Sequence, residues 1–387
     1  MITVPEPRVH RLAPVLVLAV GTFAMGTDSF VLAGILPQLA SGLRVSEASA
    51  GQVVTAFALT YAVTAPFLAA ATGKVRRKTL LTFGLSLFIA ANLASIAATG
   101  LPFLLLARIA AALGAALFTP TASAAAVALA GAERRGLALS IILGGLAVGT
   151  VFGVPAGTAL GQHFGWQASL LFIAAVALVA LAALLVTLPT LPLPPVVRLR
   201  DRLALLVDRR VLGIVAVTTL ASAAGIIVYT YLARILLDTA GISGSALTAA
   251  LLAWGIGGST GAFGSGWLTD RHGPRRTLVL AIGILALSLL GLGFAPTAGL
   301  TPPLMAVTGA AAWSVATPNN HRLTGLAPES PSVVISANSS GIYLGQALGA
   351  AAGGLVLTAG GGAEVLCVAG ATVAAAAFAL NAILADH

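Results

Sequence analysis

The sequence predicts an all-α polytopic membrane protein, with twelve transmembrane helices in two six-helix bundles. Three observations carry this expectation. Hydrophobic residues make up 58% of the 387 and charged residues only 8%, against about 25% charged in soluble domains; the mean hydropathy is +1.03. The apolar residues gather into twelve stretches, each near the roughly 20 residues that cross a hydrocarbon core. A short charged loop between two of these stretches, Gly266 to Arg276, has a worn copy at Thr72–Lys78, about half a chain earlier. Tandem halves of this kind are one transporter architecture.

The first half supplies stretches at about 12–36, 49–72, 79–99, 103–129, 137–160 and 167–188. The second supplies about 211–236, 246–268, 277–295, 303–321, 333–358 and 363–384. Arg8 and Arg11 precede the first run. That run is longer than a signal-peptide core and has no clear cleavage site, so it reads as a retained span. Residues 189–210 open with Pro-Thr-Leu-Pro-Leu-Pro-Pro and continue through Arg198, Arg200, Asp201, Arg202, Asp208, Arg209 and Arg210. The prolines forbid a continuous helix there. The expected organisation is a bundle over 1–188, a cytoplasmic linker over 189–210 and a bundle over 211–387. The linker has room for a short amphipathic helix at Leu199–Val207.

Charge orients these spans. All but Arg44, Arg108 and Arg234 of the 20 basic residues fall on one face if both termini are cytoplasmic, as the positive-inside rule requires. The net charge of +9 would point to nucleic acid in a soluble chain. Here the arginines sit in short loops, so no nucleic-acid partner is expected, and membrane lipid headgroups are their partners. Cys367 is the lone cysteine, which excludes an intrachain disulfide and suggests no cysteine-based metal site.

Few polar groups interrupt the apolar runs. Asp28 is the only acid well inside a span and Arg108 the only base. A charge at the bilayer centre costs about 2.5–3.5 kcal/mol on insertion scales, so such groups face a bundle interior or water. Both lie in the outer half of their spans, at depths within about 5 Å of one another at about 1.5 Å per residue. They are placed to meet. The functional reading is a proton site on Asp28 tuned by Arg108; the alternative is a permanent ion pair that fixes helix packing. Tyr61, Asn92, Tyr229, Tyr231, Trp254, Asn338, Ser339 and Gln346 are candidates to line a substrate cavity. Many spans are dense in small residues, which let helix backbones approach closely in lipid. No His-Glu-x-x-His, phosphate-cradling glycine loop or Gly-x-Ser-x-Gly occurs in a convincing context. An enzyme, an ATP-driven pump and a bound cofactor are therefore not expected.

The loop Gly266-x-Leu268-Thr269-Asp270-Arg271-x-Gly273-x-Arg275-Arg276 resembles the signature loop of the major facilitator superfamily. The resemblance assigns Gly266, Asp270, Arg271, Gly273, Arg275 and Arg276 to an inner gate. In the first-half copy the expected Asp is replaced by Thr72 or Gly73. Arg108 matches the arginine of the fourth-span motif, associated in that superfamily with proton coupling, although alanines replace its usual Gln-Gly neighbours. Gly145-x-x-x-Gly149-x-x-x-Gly153-Val-Pro155-Ala-Gly157 in the fifth span resembles the antiporter motif. Glycines four apart make a flat groove, and Pro155 removes a backbone donor and permits a bend. Gly26-Thr27-Asp28-x-Phe30 through Pro37, Ala65-Pro66 and Gly165-Trp166 are similar to the twelve-spanning drug/proton antiporters, in the arabinose-efflux and chloramphenicol-resistance branch.

The resemblance implies a monomeric secondary transporter of a bacterial plasma (inner) membrane. It exports a small drug-like molecule or metabolite against protons by alternating access. An uptake symporter of the same fold and a non-transporting sensor or scaffold are the alternatives.

Overall fold

The computed structural model describes residues 12–72, 75–130, 135–189, 191, 208–294, 297, 299–327 and 331–384. Among the described residues the chain is helical, without strands. The first half contains α1 (Leu12–Leu43), α2 (Glu47–Ala71), α3 (Arg77–Ile96), α4 (Leu101–Ala130), α5 (Arg135–Val148), α6 (Val154–Phe164) and α7 (Trp166–Thr187). The second contains α8 (Arg209–Thr230), α9 (Leu232–Ala240), α10 (Gly244–His272), α11 (Pro274–Phe294), α12 (Thr301–Trp313), α13 (Ala316–Leu326), α14 (Pro331–Thr358) and α15 (Ala363–Ile383). Apart from its ends, the expected linker, with its amphipathic helix, lies outside the described residues.

Eleven of the twelve expected spans are long, apolar helices. The tenth is not continuous, and its two parts, α12 and α13, meet at Ser314–Val315. The cause lies four residues on. Pro318 has no N–H to offer the Ser314 carbonyl, and its ring crowds that carbonyl. The Ser314 hydroxyl ties the bend down by donating to the carbonyls of Ala310 (2.7 Å) and Gly261 (3.1 Å). The expected run 211–236 likewise divides at Tyr231, between α8 and α9. Within the fifth span, a π-helical turn at Gly149–Gly153 joins α5 to α6. Pro155 cannot donate to the Val151 carbonyl, and the Val154 N–H bonds instead to Gly149, the wider i→i+5 pattern.

The two halves pack alike. In the first, α1 lies against α5 and α7, α3 against α4 and α7, and α2 against α4. In the second, α8 lies against α14 and α15, α11 against α12 and α15, and α10 against α12. The halves meet along α2 with α14, and along α6 and its π turn with α10. Large apolar side chains such as Phe103, Leu106, Phe152, Phe263 and Leu287 stay exposed on the perimeter, where lipid is their solvent.

One register recurs in both halves. A β-carbon on Gly145, Gly149, Gly153 or Gly157 would collide with Ala19, Phe23, Thr27 or Val31 of α1. On Gly341, Gly345 or Gly349 it would collide with Val215, Thr219 or Ala223 of α8, and on Gly353 it would meet the Tyr231 ring and come within 3.1 Å of the Ile227 carbonyl. Counting Ile227 for Gly353, every pair is separated by the same 126 positions. In hydrocarbon no hydrophobic drive brings helices together, so this close backbone approach supplies the contact.

Candidate functional site

α1 carries three consecutive polar residues whose directions differ by about 100° each, because a helix turns once in about 3.6 residues. Thr27 faces the fifth span and donates to the Gly149 carbonyl at 3.2 Å. Ser29 donates back to Met25. Asp28, between them, faces α4. There the Arg108 guanidinium grips it with both terminal nitrogens, Nη1 to Oδ1 at 2.9 Å and Nη2 to Oδ2 at 2.6 Å. Asp28 is 0% and Arg108 1% exposed. This fork-on-fork geometry is the strong form of a charged hydrogen bond.

The surroundings of Arg108 are otherwise lean. Asn92 donates to the Phe88 carbonyl, which fixes its amide so that its Oδ1 faces Arg108 Nη1 at 3.4 Å. The Phe57 ring lies 4.8 Å from the guanidinium carbon, within cation–π range. Arg108 Nε is buried with no hydrogen-bond partner among the described residues. One turn beyond Phe57, Tyr61 stacks on Tyr343 of α14 at 3.8 Å, across the seam between the halves. α2 thus presents Phe57 to the charge pair and, one turn on, Tyr61 to the second half.

A second cluster crosses the same seam. Phe30, two residues past Asp28, meets Tyr229, Trp254 and Trp313, with ring centroids at 5.6, 5.3 and 6.0 Å. Tyr229 and Trp254 approach to 4.3 Å. The Tyr229 hydroxyl donates to the Phe30 carbonyl at 3.3 Å. Four rings from α1, α8, α10 and α12 thus meet across the seam between the halves. Trp313 ends α12 at the Pro318-induced break, which turns its indole into this cluster.

Other expected cavity residues lie elsewhere. Tyr231 fills the seam between Gly51 and Gly353–Gly354 and donates to the Ala350 carbonyl, a packing position. Ser339 is exposed and donates to Ile335 of its own helix. Asn338 is buried in an amide network: it accepts from Thr218 at 2.6 Å and donates to Asn320 at 2.8 Å, while Asn319 donates to Thr218. Gln346 is buried on α14. At the end away from the arginines, Arg234 of α9 reaches Glu47 of α2 at 3.8 Å and pairs with Asp238.

The signature loop is tight. Gly273 joins α10 to α11 with φ 83° and ψ 157°, a region nearly restricted to glycine. Asp270 is exposed, and Arg271 stacks over Trp267 with its guanidinium carbon 5.3 Å from the ring. Open space surrounds Gly266, and nothing in the packing requires glycine there. Arg275 and Arg276 open the first turn of α11.

The sequence profile of the Major Facilitator Superfamily matches residues 18–350. The chain belongs to the Major Facilitator Superfamily. It is therefore a membrane transporter of a small molecule, not an enzyme. The inner membrane transport protein YdhP of Escherichia coli K12 is 32% identical over 369 residues, covering 95% of this chain and 94% of its own. The chloramphenicol resistance protein of Streptomyces lividans is 36% identical over 347 residues, covering 87% of each. Among solved structures, the nucleoside transporter NupG superposes with a TM-score of 0.80 at 13% identity, covering 97% of this chain and all of that one. A bacterial homologue of the lysosomal transporter Spinster, inward-facing and occupied, gives 0.78 at 17% identity and 98% coverage of each. These two share the fold.

Within this superfamily chain, sequence reading missed Phe30, Trp313 and Tyr343 as partners in the central clusters. Trp313 carried a usable signal. Tryptophans gather at membrane interfaces, and Trp313 stands inside an apolar run just ahead of a proline. Phe30 and Tyr343 carried none, because nothing distinguishes them from lipid-facing aromatics until the halves are docked.

Proposed function

We propose that the chain is a proton-coupled exporter of a small, largely apolar and ring-bearing molecule, acting as a monomer in a bacterial inner membrane. The observation that carries this reading is the Asp28–Arg108 pair, fully buried between α1 and α4, two residues before Phe30, whose ring meets aromatic rings of the second half. A charge pair there needs a reason, since a well-packed apolar pair is often no less stable. Proton exchange supplies it. A proton reaching Asp28 removes one member of the fork, leaves Arg108 without its counter-charge and loosens α1 from α4. The four-ring cluster would bind the substrate, and it is taken apart when the halves separate. Protonation from outside then favours release outward, and loss of the proton to the cytoplasm restores the binding form. The arginine-rich end is cytoplasmic in this reading. The name of the Streptomyces relative favours export, as do the fifth-span glycines that zip α1 to the fifth span.

The test is flux in proteoliposomes under an imposed pH gradient, with labelled chloramphenicol and a panel of sugars and nucleosides. Gradient-driven export is expected in wild type and should be lost in Asp28→Asn and Arg108→Ala. Unchanged gradient-driven transport in both variants would sink the coupling role. Substrate moving inward along with protons would establish an uptake symporter.

A further inference from the structure

A cavity of about 630 Å³ opens at the arginine-rich end of the second half, away from the central site. Its walls carry Arg210 at the start of α8, His272, Arg275 and Arg276 around the α10–α11 turn, and Arg322 of α13. Among the described residues, no carboxylate lines it. Arg322 is half-buried and donates to the Asn381 amide oxygen at 2.8 Å. Burial pushes its guanidinium down, and the charge of Arg275 pushes it the same way. Like charges are thus held together here, with Asp208 beside the wall accepting, among the described residues, only from the Arg210 backbone N–H at 2.7 Å and outside the lining itself.

Three further features define what would fit. The cavity mouth includes the N-terminus of α11, a helix of 21 residues that starts at Pro274. Its first N–H groups and its dipole favour negative charge. Arginine forks match the tetrahedral oxygens of a phosphate. Ile214, Leu326 and Leu384 line the remaining wall, and Leu326 is 41% exposed, so an apolar chain attached to the anion has a surface to follow.

We propose that this cavity binds a phosphate-bearing anion, gripped by Arg275, Arg276 and Arg322 at the head of α11. The anion is either the headgroup of an anionic phospholipid or a free phosphate. Such an occupant would tie together the ends of α8, α11, α13 and α15, four helices that the backbone joins only through distant loops. It would brace the second bundle as a rigid body during transport. Basic pockets between spans are suited to anionic headgroups.

The experiment is binding to the purified full-length protein in neutral detergent, read by native mass spectrometry and by the unfolding midpoint. The probes are phosphatidylglycerol, phosphatidylethanolamine, glycerol 3-phosphate and inorganic phosphate. Wild type should bind phosphatidylglycerol saturably and unfold at a higher temperature with it. The Arg275→Gln/Arg322→Gln variant should bind about a hundredfold more weakly, roughly tenfold for each guanidinium removed from the anion. Arg76→Gln, an exposed arginine of the first half, should bind as wild type does. Inorganic phosphate or glycerol 3-phosphate displacing the lipid identifies a free anion as a sufficient ligand; failure of both to displace it identifies the lipid. Should the double variant not fold, the exposed Arg276→Gln alone is expected to weaken binding about tenfold. Equal binding by wild type and the arginine variants, or equal binding of phosphatidylethanolamine and phosphatidylglycerol, overturns the proposal. None of these readouts depends on transport, so a failed export assay leaves them unaffected.

Discussion

Asp28 and Arg108 are each other's only ion-pair partners among the described residues, and that makes their energetics asymmetric. Removing one member of a buried pair strands the other and costs about 3–5 kcal/mol, whereas removing both is often close to neutral. Asp28→Asn should therefore lower the unfolding midpoint in detergent more than Asp28→Asn/Arg108→Gln does. Equal losses would mean that the pair contributes no coupling.

Helix contacts were partly legible from the chain. The fifth-span glycines stand four apart in the sequence, and the groove they make against α1 follows from that spacing. The eleventh span repeats the same spacing at Gly341, Gly345, Gly349 and Gly353, so its groove against α8 was equally available. Gly149→Ala and Gly345→Ala should each destabilise by about 1–3 kcal/mol, since a methyl there meets backbone that cannot give way. Gly144→Ala is the internal control: open space surrounds it, and replacing a helical glycine by alanine gains about 0.5–1 kcal/mol. Thermal unfolding of the three variants checks the set, and a loss at Gly144 matching that at Gly149 would remove the register argument. The tenth-span break was harder to see. Its cause, Pro318, lies inside an otherwise ordinary apolar stretch, and prolines at Pro37, Pro66 and Pro120 leave their helices unbroken.

At the scale of the whole molecule, composition and the arginine distribution specified twelve spans and their grouping, because a bilayer leaves a chain few alternatives. The depth match of Asp28 and Arg108 was readable from residue counting. The docking of the halves was not, since contacts between separate bundles obey no periodicity along the chain. The seam between the halves runs from the Tyr61–Tyr343 stack to the end bearing Glu47 and Arg234. Gly354 approaches Ala48 in that region, its β-carbon position 3.3 Å from the Ala48 carbonyl. Ala48→Cys/Gly354→Cys offers a lock there, in a chain whose one native cysteine, Cys367, is buried. Oxidation should arrest flux and a reductant should restore it. Full flux in the crosslinked protein would exclude separation of the halves at this end as part of the cycle.

The fork between Asp28 and Arg108 also has an electrical meaning. Closed on itself, it offers the membrane potential no net charge, so under the proposed exchange the deprotonated carrier would turn over between faces without moving current. With a proton on Asp28, one uncompensated positive charge travels with Arg108, and the potential acts on it with up to about 2.3 kcal/mol per 100 mV. In the proposed proton-coupled cycle, voltage sensitivity would thereby be confined to the proton-loaded half.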